Sequence, residues 1–146
     1  MLHPVLTEMM QNKEATEIKL EWQHKDVNFK GFADLLTTFN GRKCVVDIKT
    51  TNDAGKRFER DLYYNDYKMQ LAMYQDQYDK DTDAYIVAIE TTTPFNVQIY
   101  KLDDSLLFKG WMDYDYYTDK FKEWNGEPQG YSSDIVEVKT ETEEIL

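Results

Sequence analysis

GFADLLTTFNGRKCVVDIKTT, residues 31–51, is the stretch whose reading decides the fold. Its Asn40-Gly41 pair stands between two β-rich runs, and Asn-Gly is the strongest short-range signal for a two-residue hairpin turn, whose central positions both need positive φ. Such a turn sets a register. With Phe39 facing Arg42, counting outward places Leu36 against Val45, Asp34 against Asp47 and Phe32 against Lys49, with all three pairs on one face of the sheet. Two carboxylates are then direct cross-strand neighbours. Like charges roughly 5 Å apart oppose one another unless a cation joins them or one takes up a proton. The pair is either a liability or a site.

The flanking sequence supplies the rest of an α/β domain. EIKLEWQH (17–24) alternates Ile18, Leu20 and Trp22 with charged residues, as a half-buried strand does. VNFKGFADLLTTF (27–39) and RKCVVDIKTT (42–51) are the two arms of the hairpin. The third strand is apolar on both faces, Val45 on one and Cys44, Val46 and Ile48 on the other, so helices are expected on both sides of the sheet. Val5, Leu6, Met9 and Met10 predict a short helix before Lys13. Residues 58–79 read as one amphipathic helix with an aromatic stripe of Tyr63, Tyr67, Tyr74 and Tyr78 around Leu71. A second hairpin is expected from 84–92 and 95–102 around Thr93-Pro94. Asp103, Asp104 and Ser105 offer caps for a helix over 106–124, despite its interior Gly110, and Gly126 and Pro128 end it. The expectation is a mixed central sheet flanked by helices, one domain over 1–131. An acidic tail follows over 132–146, containing a short β-like DIVEV and otherwise disordered or weakly docked.

Composition restricts the function classes. The 146 residues carry a formal charge of −11, which argues against a nucleic-acid partner, since phosphate binding draws on a lysine and arginine surplus. That average hides an asymmetry. Acids concentrate in 134–146, while Arg42, Lys43, Lys49, Lys56, Arg57 and Arg60 cluster around the acidic pair. The single cysteine, Cys44, excludes an internal disulfide. No apolar run of membrane-spanning length and no cleavable signal is seen, so a cytoplasmic protein without a membrane partner is expected.

Two acids on adjacent strands with a lysine two residues beyond the second suit metal-assisted hydrolysis of a phosphodiester. Hard oxygen ligands hold Mg²⁺ or Mn²⁺, which acidifies bound water and offsets charge on the reacting phosphate. Lys49 shares the Asp47 face and could orient the attacking water or stabilise developing charge. The Ile48 carbonyl could serve as a further ligand. The alternative is a solvated sheet face with ordinary surface ion pairs between the acids and Lys49 or Lys30. Leu36, Val45 and Phe32 weigh against it, because they make the charged trio an interruption of an apolar surface.

The order Gly-Phe-Ala-Asp34, Val-Val-Asp47-Ile-Lys49-Thr-Thr and Gln70-Leu-Ala-Met-Tyr74 resembles the PD-(D/E)xK nuclease superfamily, the last element its RecB-like QxxxY motif. Within that branch the chain looks most like RecE-type (exonuclease VIII-like) phage and prophage recombination nucleases, from Glu17 to about Tyr131. Tyr67-Lys-Met-Gln70 and Trp124-Asn-Gly…Gly130-Tyr131 also fit. The resemblance implies a restriction-endonuclease-like fold, Asp34 and Asp47 as metal ligands, Lys49 as the catalytic lysine, and Gln70 and Tyr74 on the helix over the site. Glu17 would be a further ligand, with Glu21 its competitor, and Ala33 replaces the usual proline before Asp34. It also implies a Mg²⁺- or Mn²⁺-dependent 5′-to-3′ exonuclease acting on double-stranded DNA ends, a RecT-like single-strand annealing partner and a ring-shaped homo-oligomer. The upstream region that supplies a histidine ligand in such nucleases is short here, and His3 reads as a solvated residue. That shortness leaves open a non-catalytic nuclease-fold binding or interaction domain.

Lys56, Arg57 and Arg60 could hold phosphates near the metal or form a solvated helix start. The tyrosine stripe reads as core and core rim, with Tyr114, Tyr116 and Tyr117 covering the sheet similarly. His24 reads as a surface strand-end residue.

Overall fold

The architecture is set by the two-residue turns. In the computed structural model, which describes residues 3–124 and 135–140, Asn40 and Gly41 have φ of 53° and 73°, so the left-handed turn forms where expected. It joins β2 (Val27–Phe39) to β3 (Arg42–Thr51). A second turn of the same kind, Lys25-Asp26 with φ of 49° and 66°, joins β1 (Ala15–His24) to β2. Helices α2 (Lys56–Tyr64) and α3 (Tyr67–Gln75) then carry the chain over to β4 (Asp83–Glu90), parallel to β3, and β5 (Val97–Leu102) returns antiparallel. The sheet runs β1-β2-β3-β4-β5 and is mixed. Helix α1 (Pro4–Gln11) precedes it and α4 (Asp104–Glu123) comes after it.

Helices lie on both faces, as the two-sided apolar pattern of β3 requires. On one face Ala33, Val45, Ala84 and Ile86 pack with Phe58 and Leu62 of α2 and Leu71 of α3. On the other, Leu35, Cys44, Val46 and Val87 pack with Met9 of α1. Met9 is fully buried, worth about 2 kcal/mol for a side chain of this size, and its carbonyl accepts from Thr37 Oγ1 at 2.6 Å. His3 caps α1, its Nδ1 accepting from the Val5 N–H at 3.2 Å, rather than standing free in solvent.

The segment expected as one helix over 58–79 is two. Asn65 takes extended backbone (φ −97°, ψ 174°), and Lys68 Nζ donates to the carbonyls of Tyr63 and Asn65 at 3.2 and 3.3 Å, satisfying groups that the break exposes. Tyr63 is consequently exposed, Tyr67 and Tyr78 are half-buried, and only Tyr74 of the stripe is buried. The interior glycine of α4 has a packing reason. A Cβ on Gly110 would lie 2.2 Å from the Lys68 carbonyl, so α3 and α4 meet backbone to backbone. The buried stripe of α4 is Leu107, Gly110, Tyr114 and Thr118, three and four apart, which leaves Tyr116 and Tyr117 on the exposed side and not over the sheet.

Other boundaries also differ. β4 and β5 are shorter than expected because Thr91–Asn96, with a cis Thr93-Pro94 bond, form a loop. Partly buried polar bonds fix the first hairpin against α4. Trp22 Nε1 donates to the Tyr114 hydroxyl at 2.9 Å, and His24, half-buried, lies 2.8 Å from Asp115 and against the Tyr114 ring. Of the expected β-like DIVEV (134–138), the described residues 135–138 form no strand, and Ile135 and Val138 are exposed. Gly126, Pro128, Gly130, Tyr131 and the rest of the acidic tail lie outside the described residues.

Candidate active site

The register counted from Asn40-Gly41 holds only part of the way. The β2–β3 ladder runs from Phe39 opposite Arg42 to Leu35 opposite Val46 and ends there. The expected Asp34–Asp47 and Phe32–Lys49 ladder pairs do not form. Ala33 packs on the α3 side with Val45, whereas Leu35 packs on the α1 side with Val46. Residues two apart on a regular strand share a face, so β2 turns over at Asp34. β1 does the same opposite it: Thr16 pairs with Leu35 and Ile18 with Ala33, skipping Glu17, whose φ is 50°. A positive φ on a glutamate costs about 1–3 kcal/mol, and such strain gathers at functional positions. The result is a fork, with the β1–β2 hairpin leaving β3 at Asp34.

Asp34 replaces the lost ladder bond. Its Oδ2 accepts from the Ile48 N–H at 2.7 Å. A strand residue's N–H and C=O point to the same side, so the Ile48 carbonyl faces the same gap. Asp34 also stands close enough to Asp47 to raise its carboxyl pKa, so the two carboxyls still influence each other, through side chains rather than ladder pairing.

Asp47 is 3% exposed. Burial drives its carboxyl pKa up to about 6 from 3.8; the Lys49 ammonium opposes that rise and Asp34 adds to it. Lys49 Nζ lies 2.9 Å from Asp47 Oδ2, yet off the direction of a hydrogen bond, so this buried oxygen has charge contact but no donor aimed at it. Lys49 Nζ donates its hydrogen bond instead to Gln70 Oε1 at 3.0 Å, and Gln70 Nε2 donates to the Tyr74 hydroxyl at 3.3 Å. The Tyr67 ring stands 5.1 Å from the ammonium and adds a cation–π contact. Asp34, Asp47, Lys49, Gln70 and Tyr74 are therefore brought together, with α3 supplying the last two one helical turn apart.

Other expected residues stand apart from this group. Glu17 is exposed at the turnover, and among the described residues no three His, Cys, Asp or Glu side chains are gathered to hold a metal. Glu21 pairs with Lys19 at 2.9 Å. Lys56, Arg57 and Arg60 lie exposed on α2, opposite buried Phe58 and Leu62, and make no ion pair among the described residues. A divalent ion fits the donor chemistry nonetheless: two adjacent carboxyls, one with an oxygen lacking a directed donor, and a backbone carbonyl facing the same gap.

Three residues that shape the site gave weaker sequence signals. A Cβ on Gly31 would lie 2.7 Å from Tyr74 Cε1, so glycine there admits the tyrosine ring. Glu90, buried at the end of an apolar strand, accepts from the N–H of Ala54 at 3.0 Å and of Asn96 at 2.9 Å. Tyr100 donates to the Ala54 and Gly55 carbonyls, and together these bonds fix the loop between Lys49 and α2. An acid closing an apolar run marked Glu90; nothing local marked Tyr100.

A forked mixed sheet with an acid at the fork, an Asp-x-Lys strand beside it and a Gln/Tyr helix above it has the restriction-endonuclease-like arrangement of a PD-(D/E)xK protein. Over residues 3–140 the sequence matches the family described as "PDDEXK-like domain of unknown function (DUF3799)", and the chain belongs to that family. Among solved structures it is similar to the "Putative exonuclease" from Eubacterium rectale, at 14% identity over 82% of this chain and 50% of that one, with a TM-score of 0.61. It is also similar to SSO0001, at 23% identity over 70% of this chain and 50% of that one, with a TM-score of 0.41. The chain thus spans half the length of each. No curated protein matches it.

Proposed function

We propose that the protein is a metal-dependent deoxyribonuclease that hydrolyses phosphodiester bonds at the fork. The observation that carries this reading is Asp47: a buried carboxylate, against a second carboxylate, with an oxygen lacking a directed donor and a lysine held beside it by a glutamine. A Mg²⁺ or Mn²⁺ ion bound there would acidify a water and neutralise phosphate charge. Asp34, Asp47 and the Ile48 carbonyl would hold it, with Glu17 completing the set if its strained backbone relaxes toward the gap. Lys49 is positioned by Gln70 to donate to the phosphate or its nucleophile. Tyr74 fixes Gln70, and thereby Lys49. Lys56, Arg57 and Arg60 supply cations for neighbouring phosphates.

The resemblance to RecE-type enzymes supports a finer reading: a 5′-to-3′ exonuclease on double-stranded DNA ends in phage-type recombination, feeding a RecT-like annealing protein, as a homo-oligomer in a cytoplasm. No described helix is long and apolar enough to cross a membrane. The charge of −11 and, among the described residues, the lack of a third gathered ligand favour one second reading, a non-catalytic binding domain on the same scaffold. End-labelled linear duplex and closed circular DNA incubated with Mn²⁺ or Mg²⁺ separate the readings. Loss of label from 5′ ends with the circle intact supports the exonuclease; nicking of the circle removes the end requirement. No cleavage of either supports the binding domain.

A further inference from the structure

Past the turnover, Ile18, Leu20 and Trp22 of the β1–β2 hairpin pack toward α3, so the alternate residues form its outer face. That face is polar except for Phe32, which is 53% exposed. Lys19 is its direct cross-strand partner. Lys30 lies two residues away on the same face, its Nζ 5.8 Å from the ring centroid. Across the gap Ile48, on the face of β3 that carries Val46, is 37% exposed. The Asp34 carboxylate, bonded to the Ile48 N–H, thus stands at the turnover two residues after Phe32.

We propose that Phe32 is a stacking platform for an unpaired nucleobase, which makes a single-stranded or frayed DNA end the preferred substrate of the fork. The proposal rests on the nuclease reading and adds to it the form of DNA that is bound. Isolated exposed apolar side chains are common on protein surfaces. This ring differs in having cations on both sides and an acid of the site two residues away, roughly 7 Å along the strand. An aromatic ring interleaved with cations is the composition of single-strand binding surfaces, where the ring takes the base and the cations follow the backbone. Within a duplex both faces of a base are covered by its stacked neighbours, so the ring can reach only an unpaired or terminal base. The Lys19–Glu21 pair is more than half exposed at both ends and can exchange its acid for a phosphate.

The test uses the full chain and its Phe32→Ala and Phe32→Tyr variants. Binding of a single-stranded oligonucleotide carrying 2-aminopurine near its end is followed by fluorescence in Ca²⁺ buffer. Stacking predicts quenching with wild type and Phe32→Tyr, and an affinity about tenfold weaker with Phe32→Ala. A covalently closed, relaxed circular duplex, which has neither ends nor unpaired bases, should change less than twofold. Absence of quenching with wild type, equal affinity of Phe32→Ala, or equal losses on single strand and closed duplex would each overturn the platform. In Mn²⁺, Phe32→Ala should cleave the single strand about tenfold more slowly while hydrolysing bis(p-nitrophenyl) phosphate like wild type. Equal cleavage of the single strand by both overturns the platform alone. Quenching without hydrolysis of either substrate by wild type overturns the nuclease reading alone.

Discussion

Replacing Asp47 by asparagine should stabilise the protein at neutral pH, an unusual outcome for a buried polar residue. The folded-state pKa of about 6 lies above the ordinary 3.8, so between those values the folded chain holds a proton that the unfolded chain has released. Stability from Asp47 is therefore full below pH 4 and is lost as pH rises through 6. At about 1.4 kcal/mol per pH unit the loss is roughly 3 kcal/mol, with the attraction of Lys49 already included. Asparagine keeps the shape without the charge, but leaves Lys49, 25% exposed, bonded to Gln70 with no counter-charge at 2.9 Å except Asp34 nearby. The net gain expected at pH 7.5 is about 1–3 kcal/mol, an increase of about 1 M in the urea midpoint. Urea unfolding of both proteins from pH 4 to 8, without divalent ions, reads the difference directly, because all other titrating groups are shared. The gap should be near zero at pH 4, open up to pH 6 and stay level above it. A variant less stable than wild type at pH 7.5, or a gap independent of pH, would refute the reasoning that Asp47 is buried at an electrostatic cost.

The packing and the site set three further outcomes. Mn²⁺ at a hundredfold excess over its dissociation constant should raise wild-type stability by about 2.7 kcal/mol and leave Asp47→Asn nearly unchanged, measured by thermal unfolding; equal stabilisation of both would place the ion elsewhere. Gly110→Ala, whose methyl would meet the Lys68 carbonyl at 2.2 Å, should cost about 1–3 kcal/mol by forcing α3 and α4 apart, and a urea midpoint within error of wild type would contradict that contact. Glu90→Gln, which must turn one of its two acceptors into a donor, should speed amide exchange at Ala54 and Asn96 in particular, read by hydrogen exchange; unchanged protection at both would remove Glu90 as the clamp of that loop.

Features governed by local chemistry were legible in the sequence. Asn40-Gly41 fixed the turn and the first pairs of the ladder, and the two-sided apolar pattern of β3 required helices on both faces. Gln70 meets Lys49, and Tyr74, four residues on, meets Gln70, as helical spacing allows. Three things were hidden, each for a physical reason. A count from the turn assumes an unbroken ladder, and the turnover at Glu17 and Asp34 is carried by a positive φ on a glutamate, for which the residue gives no warning. The break at Asn65 leaves Tyr63 and Tyr67 four apart, so the periodicity reads through it. The strand limits at His24 and Val27 bracketed Lys25-Asp26, but its left-handed form was hidden because it lacks the glycine that marks most turns of its kind. Tyr116 and Tyr117 show a related limit: their burial depended on which face of α4 met α3, and Gly110, by its close contact, set that face.

The measurement that tests the central claim most directly is the single-turnover rate of linear DNA cleavage in Mn²⁺ by wild type and by Lys49→Ala, with Mn²⁺ binding confirmed for both. Wild type should cut, and the variant should be slower by about 10²–10³-fold, the range for losing one positioned donor to developing charge. Cleavage by both proteins at equal rates would contradict a site built from Asp34, Asp47 and Lys49, and Mn²⁺ binding without cleavage by wild type would contradict its catalytic role.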